Sequence, residues 1–263
     1  MTAAPALDLP AVIGHRGAAA SAPENTLAGM RMAHQLGASW VEFDVRLSAD
    51  GRCIVLHDDS VDRTSDGRGL AAMLSFAALR ERDAGAWFDK RFAGERIPSF
   101  EEVIDLLGTL GLGANVEIKP ASGQEVQTAR AAIGLLRQHW PRHLPAPLVS
   151  SFAPAALAAA GEAAPEIARG HLFGYLPADW RLRAERLGCT TIHCDHRRLD
   201  RRTARAVIDT GFPLLAYTVN EPMRARELLD WGLSAVFTDC PDRIIAGLVD
   251  GEKSSPRGAG VHT

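Results

Sequence analysis

The chain has 263 residues, 46% of them hydrophobic and 23% charged, a globular balance that excludes global disorder. Lys and Arg total 29 against 32 Asp and Glu, a formal charge of −3, so no basic field exists to hold nucleic-acid phosphates. Aromatic residues, at 6%, are too few for base-stacking platforms. No run reaches the roughly 18 apolar residues of a membrane span, so no stable membrane insertion is expected. Met1 to Gly14 contains no Lys or Arg and no long apolar run, so no secretory leader is expected. Cys53, Cys189, Cys194 and Cys240 form no CxxC pair and read as reduced thiols of a cytoplasmic protein.

Nine short runs rich in β-branched residues read as strands: 11–15, 40–47, 53–57, 115–119, 147–152, 168–175, 190–194, 214–219 and 235–239. Helix-length segments such as 24–37 and 221–232 lie between most of them, the alternation of parallel βαβ units. One pair departs from the rhythm. Runs 40–47 and 53–57 are joined by SADGR alone, whereas a parallel crossover needs about a dozen residues. Asp50-Gly51 predicts a two-residue hairpin turn, which sets Ala49 opposite Arg52 and Asp44 opposite His57. The other eight strands predict an α/β fold, a (β/α)8 TIM barrel over 1–248, since such barrels take about 250 residues. Residues 58–98 read as a small insertion after the hairpin, placed to cap the site. The barrel helix resumes at Ser99, where Ser99-Phe-Glu-Glu102 fits a capping box. The polar tail 249–263 is expected to be disordered.

Barrel enzymes carry their working groups at the C-terminal ends of strands. His15 and Arg16 end the first strand. Glu42 and Asp44 alternate on the second, so both face the barrel interior while Val41, Phe43 and Val45 face the helices. The hairpin brings His57 beside them, and Glu117 and Lys119 occupy one face of the next barrel strand. Two or three carboxylates at close range repel and resist desolvation, and a divalent cation relieves both. With no cysteine in the set, Mg²⁺ or Ca²⁺ fits best. Arg16 and Lys119 supply positive charge for an anion, and His15 and His57 titrate where acid–base groups should. Singly, each residue has a plainer reading: a lone strand-end histidine is usually a surface group, and Glu-x-Lys is usually a salt bridge. Together they suit phosphoryl transfer at a phosphodiester. Phe152, Tyr175 and Tyr217 are aromatics near the mouth, Tyr217 being the best candidate to touch substrate. Pro23-Glu24-Asn25-Thr26 reads mainly as a helix start that Asn25 or Thr26 caps. Cys189-x3-His193-Cys194-x-His196 looks like a soft-metal cluster, but strand alternation points its members to opposite faces.

These residues lie in segments that resemble the glycerophosphodiester phosphodiesterase family. The matching stretches are GHRGAAASAPENTLAGMRMA (14–33), VEFDVRLSADGRCIVLHDDSVDRTSDGRG (41–69), NVEIKP (115–120), YTVNEP (217–222) and FTDCPD (237–242). The resemblance runs from Val12 to about Gly247. It implies a barrel with an insertion after the hairpin and hydrolysis of a small-molecule glycerophosphodiester to an alcohol and glycerol 3-phosphate. It implies His15 and His57 as the acid/base pair, Glu42, Asp44 and Glu117 as metal ligands, and Arg16 and Lys119 as phosphate contacts. The family usually carries Trp where this chain has Tyr217, which bears on alcohol selectivity rather than on the reaction. Two other readings stay open. One is a related barrel phosphodiesterase acting on phospholipids, of the lysophospholipase D or phosphatidylinositol-specific phospholipase C type, which needs a membrane-binding surface. The other is a catalytically silent metal- or phosphate-binding module, which the loss of one of the seven site residues would favour; all seven are present.

Overall fold

A computed structural model describes residues 7–254. Its strands are β1 (Val12–Gly14), β2 (Trp40–Leu47), β3 (Cys53–Val55), β4 (Gly113–Ile118), β5 (Leu148–Ser151), β6 (Ala168–Phe173), β7 (Thr191–Asp195), β8 (Leu214–Tyr217) and β9 (Ala235–Thr238). Its α-helices are α1 (Leu27–Gln35), α2 (Phe76–Arg80), α3 (Phe100–Leu110), α4 (Glu125–His139), α5 (Pro154–Ala163), α6 (Trp180–Arg186), α7 (Arg201–Ile208), α8 (Pro222–Asp230) and α9 (Pro241–Ser254). All strands but β3 pair in parallel. β1 joins β9 along its length and β2 at Gly14, which closes an eight-stranded TIM barrel. α9 runs into the segment expected to be disordered, and the rest of that tail, 255–263, lies outside the described residues. No helix among the described residues is long and apolar enough to cross a membrane.

The pattern of β2 explains its place. Val41, Phe43, Val45 and Leu47 pack outward against α1, α3 and α4 in one large apolar cluster, and Phe43 meets Phe100 edge-to-face at 5.7 Å. Each such ring contributes about 1.5–3 kcal/mol on burial. Trp40 turns inward onto the plug of Ile13, Leu148, Ala168, Leu215, Ala235 and Phe237 that fills the lower barrel. Above that plug the inward positions become polar. The expected capping box of α3 is present, Ser99 accepting from the Glu102 amide while Glu102 accepts from that of Ser99.

The hairpin departs from its predicted register. Ser48, not Ala49, meets Arg52, and Arg46 faces Ile54. The loop is therefore the three residues Ala49, Asp50 and Gly51, with Gly51 left-handed at φ 75°, a three-residue hairpin that needs glycine there. The extra loop residue shifts the partner of Asp44 from His57 to Leu56, whose amide donates to the Asp44 carbonyl. The 58–98 insertion closes on its own apolar cluster of Val61, Ala71, Leu79, Ala84 and Ile97 against Ile54 and Leu56.

Candidate active site

The C-terminal end of the barrel encloses a cavity of about 300 Å³ lined by His15, Arg16, Glu42, His57, Glu117, Lys119 and Tyr217, among others. Glu42 lines it from β2 and Glu117 from β4, and Asp44 of β2 lies buried behind them, where register sets it beside Glu117. One oxygen from each of the three lies within 4.8 Å of the others. All three are nearly fully buried. Burial, together with the charges of Asp44 and Glu117, pushes Glu42 well above the carboxylate range. Burial and Asp44 raise Glu117 to about 7. Burial also opposes ionisation of Asp44, but Lys119, Arg16 and His57 outweigh it and hold that carboxyl at about 2. The cations are close: Lys119 Nζ is 3.1 Å from Glu117 and 3.5 Å from Asp44, and Arg16 Nε is 3.5 Å from Asp44.

Backbone geometry at the end of β1 assists this arrangement. Arg16 adopts φ 50° and its amide donates to Glu42 Oε2 at 3.0 Å. Gly17 follows at φ 88°, where a Cβ would lie 2.5 Å from the Gly29 backbone, so the loop lies against α1 only because this residue is glycine.

Each histidine is anchored by a carboxylate. His15 Nδ1 is 2.7 Å from Asp239 Oδ1, and Asn220 steadies the far oxygen of Asp239 at 2.6 Å. His57 Nδ1 is 2.6 Å from Asp58 Oδ1. Asp58 in turn accepts two bonds from Arg63, which also donates twice to Glu24, and Glu24 accepts from Arg16. An ionised carboxylate only accepts, so each Nδ1 carries the proton and each Nε2 is left for chemistry. Burial holds His57 below the ordinary imidazole range against the pull of Asp44.

The structure thus brings His15, Arg16, Glu42, Asp44, His57, Glu117, Lys119 and Tyr217 to one mouth. Tyr217 lines the cavity with its ring edge-on to Phe152 at 5.9 Å, and its hydroxyl donates to the Phe173 carbonyl. Lys119 lies 5.8 Å from the centre of the Phe152 ring. Tyr175 is 70% exposed and does not line the cavity. Thr26 is the cap of α1. Asn25 has a different role from the expected cap: it donates to Asp44 Oδ2 at 2.8 Å and accepts from the Asp44 amide at 3.2 Å. Asp58, Asp239, Asn220, Arg63 and Glu24 lie outside the set of site residues expected from the sequence. Asp58 and Asp239 do carry a usable signal, since one adjoins His57 and the other directly follows β9 at the working end of the barrel.

A TIM barrel whose mouth joins buried carboxylates, two cations and two carboxylate-anchored imidazoles is equipped to hydrolyse a phosphoric diester. Residues 15–243 match the glycerophosphoryl diester phosphodiesterase family. The chain is 30% identical over 235 residues to a glycerophosphodiester phosphodiesterase of Caldanaerobacter subterraneus, covering 89% of this chain and 96% of that one. It is 32% identical over 246 residues to a putative glycerophosphodiester phosphodiesterase of Bacillus subtilis, covering 89% and 96%. Its fold superposes with a TM-score of 0.90 on an Oleispira antarctica phosphodiesterase solved with its product sn-glycerol-3-phosphate, at 41% identity over 92% of this chain and 97% of that one. The chain belongs to the glycerophosphoryl diester phosphodiesterase family and is a phosphoric diester hydrolase acting on glycerophosphodiesters.

Proposed function

We propose that this chain splits glycerophosphodiesters into an alcohol and glycerol 3-phosphate, using a divalent cation and His15 and His57 as its acid/base pair. The observation that carries this reading is the pair of imidazoles, each held at Nδ1 by a carboxylate, on a cavity shared with Glu42, Glu117, Arg16 and Lys119. The product bound by the Oleispira relative supports the product assignment.

The carboxylates suit a hard cation. Glu42 Oε1 is buried without a hydrogen-bond partner, and a set made wholly of oxygens matches Mg²⁺ or Ca²⁺. Glu42, Asp44 and Glu117 would hold it. When bound, the ion supplies positive charge that polarises the phosphoryl group.

The chain's own groups perform the rest. Arg16 and Lys119 bind the non-bridging phosphate oxygens and orient phosphorus. The Nε2 of one histidine takes a proton from the attacking hydroxyl, either water or the glycerol 2-hydroxyl. The other enters as the imidazolium, protonated on both nitrogens, and gives its Nε2 proton to the leaving alkoxide as the bond to phosphorus breaks. Attack by the 2-hydroxyl gives a cyclic phosphate, which water then opens with the two histidines in exchanged roles. The Tyr217 ring, braced by Phe152, forms a wall of the cavity and bears on which alcohol is accepted. Four free, buried thiols fit a cytoplasmic enzyme.

The test is release of glycerol 3-phosphate from glycerophosphocholine, glycerophosphoethanolamine and glycerophosphoglycerol with Mg²⁺ or Ca²⁺. Product from at least one is expected, with loss of turnover in EDTA. No product from any of the three overturns the activity. Turnover indifferent to EDTA overturns the metal role of Glu42, Asp44 and Glu117.

A further inference from the structure

The cavity has a second polar feature that the proposed chemistry does not use. Barrel interiors are ordinarily filled by bulky branched side chains, and Leu172 and Phe237 follow that rule here. Asn115 and His193 line the same cavity and do not. Asn115 sits on β4 level with Glu42, and its amide nitrogen donates to Ser150 Oγ at 2.9 Å. His193 projects inward from β7. Its Nε2 is 2.9 Å from Thr191 Oγ1 and its ring lies 5.3 Å from that of Phe237. The room for that ring comes from β6, where a Cβ on Gly170 would lie 2.5 Å from His193 Nε2.

Both side chains are therefore fixed at one end. At the other, Asn115 Oδ1 and His193 Nδ1 are buried with no hydrogen-bond partner. Such orphaned groups are rare in folded proteins and call for a missing partner. Asn115 Oδ1 can only accept. His193 Nδ1 donates or accepts according to which way the Thr191 hydroxyl turns. Burial pushes His193 down to about 3, so the ring is neutral. An acceptor and a donor–acceptor on one cavity, both uncharged and buried, complement a neutral hydroxyl and disfavour an ammonium or a second phosphate.

We propose that Asn115 and His193 form the floor subsite that binds the terminal, C1 hydroxyl of the glycerol half of the substrate, selecting a glycerol phosphodiester over one built on a diol. The proposal rests on the glycerophosphodiesterase reading above. A cavity that is otherwise apolar at its base, with a few fixed polar groups, is the usual means of setting ligand orientation. It points the glycerol end into the barrel and leaves the variable alcohol at the open mouth beside Phe152 and Tyr217. The interior of β7 thus supplies a selecting residue from a segment that reads in sequence as a metal motif.

The experiment compares kcat/KM for glycerophosphocholine and for its analogue lacking the C1 hydroxyl, followed by choline release, in the wild type, Asn115→Leu and His193→Phe. The ratio of the two values does not depend on the folded fraction. Sites built to bind a hydroxyl discriminate strongly against its absence, so the wild type should favour glycerophosphocholine by at least about a hundredfold. Either variant should bring the ratio below about tenfold, chiefly by losing the natural substrate. For a variant without turnover, the ratio of dissociation constants for glycerol 3-phosphate and its 1-deoxy analogue carries the same comparison. A wild type that treats both substrates within threefold overturns the subsite, as do variants that keep the wild-type ratio. A wild type that hydrolyses neither of these, nor glycerophosphoethanolamine or glycerophosphoglycerol, overturns the underlying activity instead; where it hydrolyses only the latter two, the ratio of dissociation constants decides the subsite, so the two failures are told apart.

Discussion

Replacing Glu117 with Gln should stabilise the metal-free protein while destroying its activity. Glu117 is nearly fully buried, and burial with the Asp44 charge raises its carboxyl from 4.5 to about 7. A tenfold change in a proton-binding constant corresponds to about 1.4 kcal/mol. Holding Glu117 ionised therefore costs the folded chain about 3 kcal/mol at pH 8. The folded pKa lies above the unfolded one, so the folded chain binds more protons between pH 4.5 and 7, and stability falls as pH rises through that window. Gln resembles the protonated acid and still offers Lys119 an acceptor. In EDTA at pH 8, Glu117→Gln should melt about 6–12 °C above the wild type, given about 2–4 °C per kcal/mol for a chain of this size. Near pH 4.5 the two should converge, because the wild-type carboxyl is then largely protonated in the folded state and ionising it no longer costs stability. Added Ca²⁺ or Mg²⁺ should raise the wild-type melting temperature by mass action and the variant's far less. A variant no more stable than the wild type at pH 8, or a difference that does not change with pH, refutes the reasoning.

Other consequences follow from the same site. His15→Ala and His57→Ala should each lower kcat by about 10²–10⁴ with circular dichroism unchanged; full turnover by either, with metal present, removes that residue from the acid/base pair. Arg63→Ala leaves Asp58 and Glu24 without their shared donor, and kcat should fall about tenfold or more with a smaller change in KM, with Arg63→Lys intermediate in steady-state kinetics. Asn25→Leu removes both bonds that orient Asp44; supporting partners of this kind are worth about 10–100-fold in metal affinity, measurable by calorimetry.

The parts of this molecule legible in sequence are those written as local periodicity. Nine strand runs and their helices follow from hydrophobic pattern, and the alternation in β2 sets Glu42 and Asp44 inside and Val41, Phe43 and Val45 outside. The hairpin register is not legible in the same way, because Asp50-Gly51 is compatible with either a two- or a three-residue loop, and the choice depends on Ser48 closing against Arg52. His57 nevertheless reaches the mouth, because β3 ends at Val55 and the chain is then free to turn. Asn25 illustrates a different limit. Its spacing is that of a helix start, and its contact with Asp44 exists only once α1 packs on β2.

The anchors of the two histidines show why distant residues escape such reading. Asp58 adjoins His57, yet its other partner, Arg63, comes from the insertion and extends to Glu24 before α1. The insertion is thus joined by charge to the first turn of the barrel, beyond its own apolar cluster. Asp239 is separated from His15 by almost the whole chain, and the two meet because β9 closes on β1. Without that closure His15 would lose the Asp239 contact that fixes its tautomer. Closure therefore serves the proposed acid/base geometry as much as the core, and a substitution that loosens the β1–β9 seam should lower turnover along with the melting temperature.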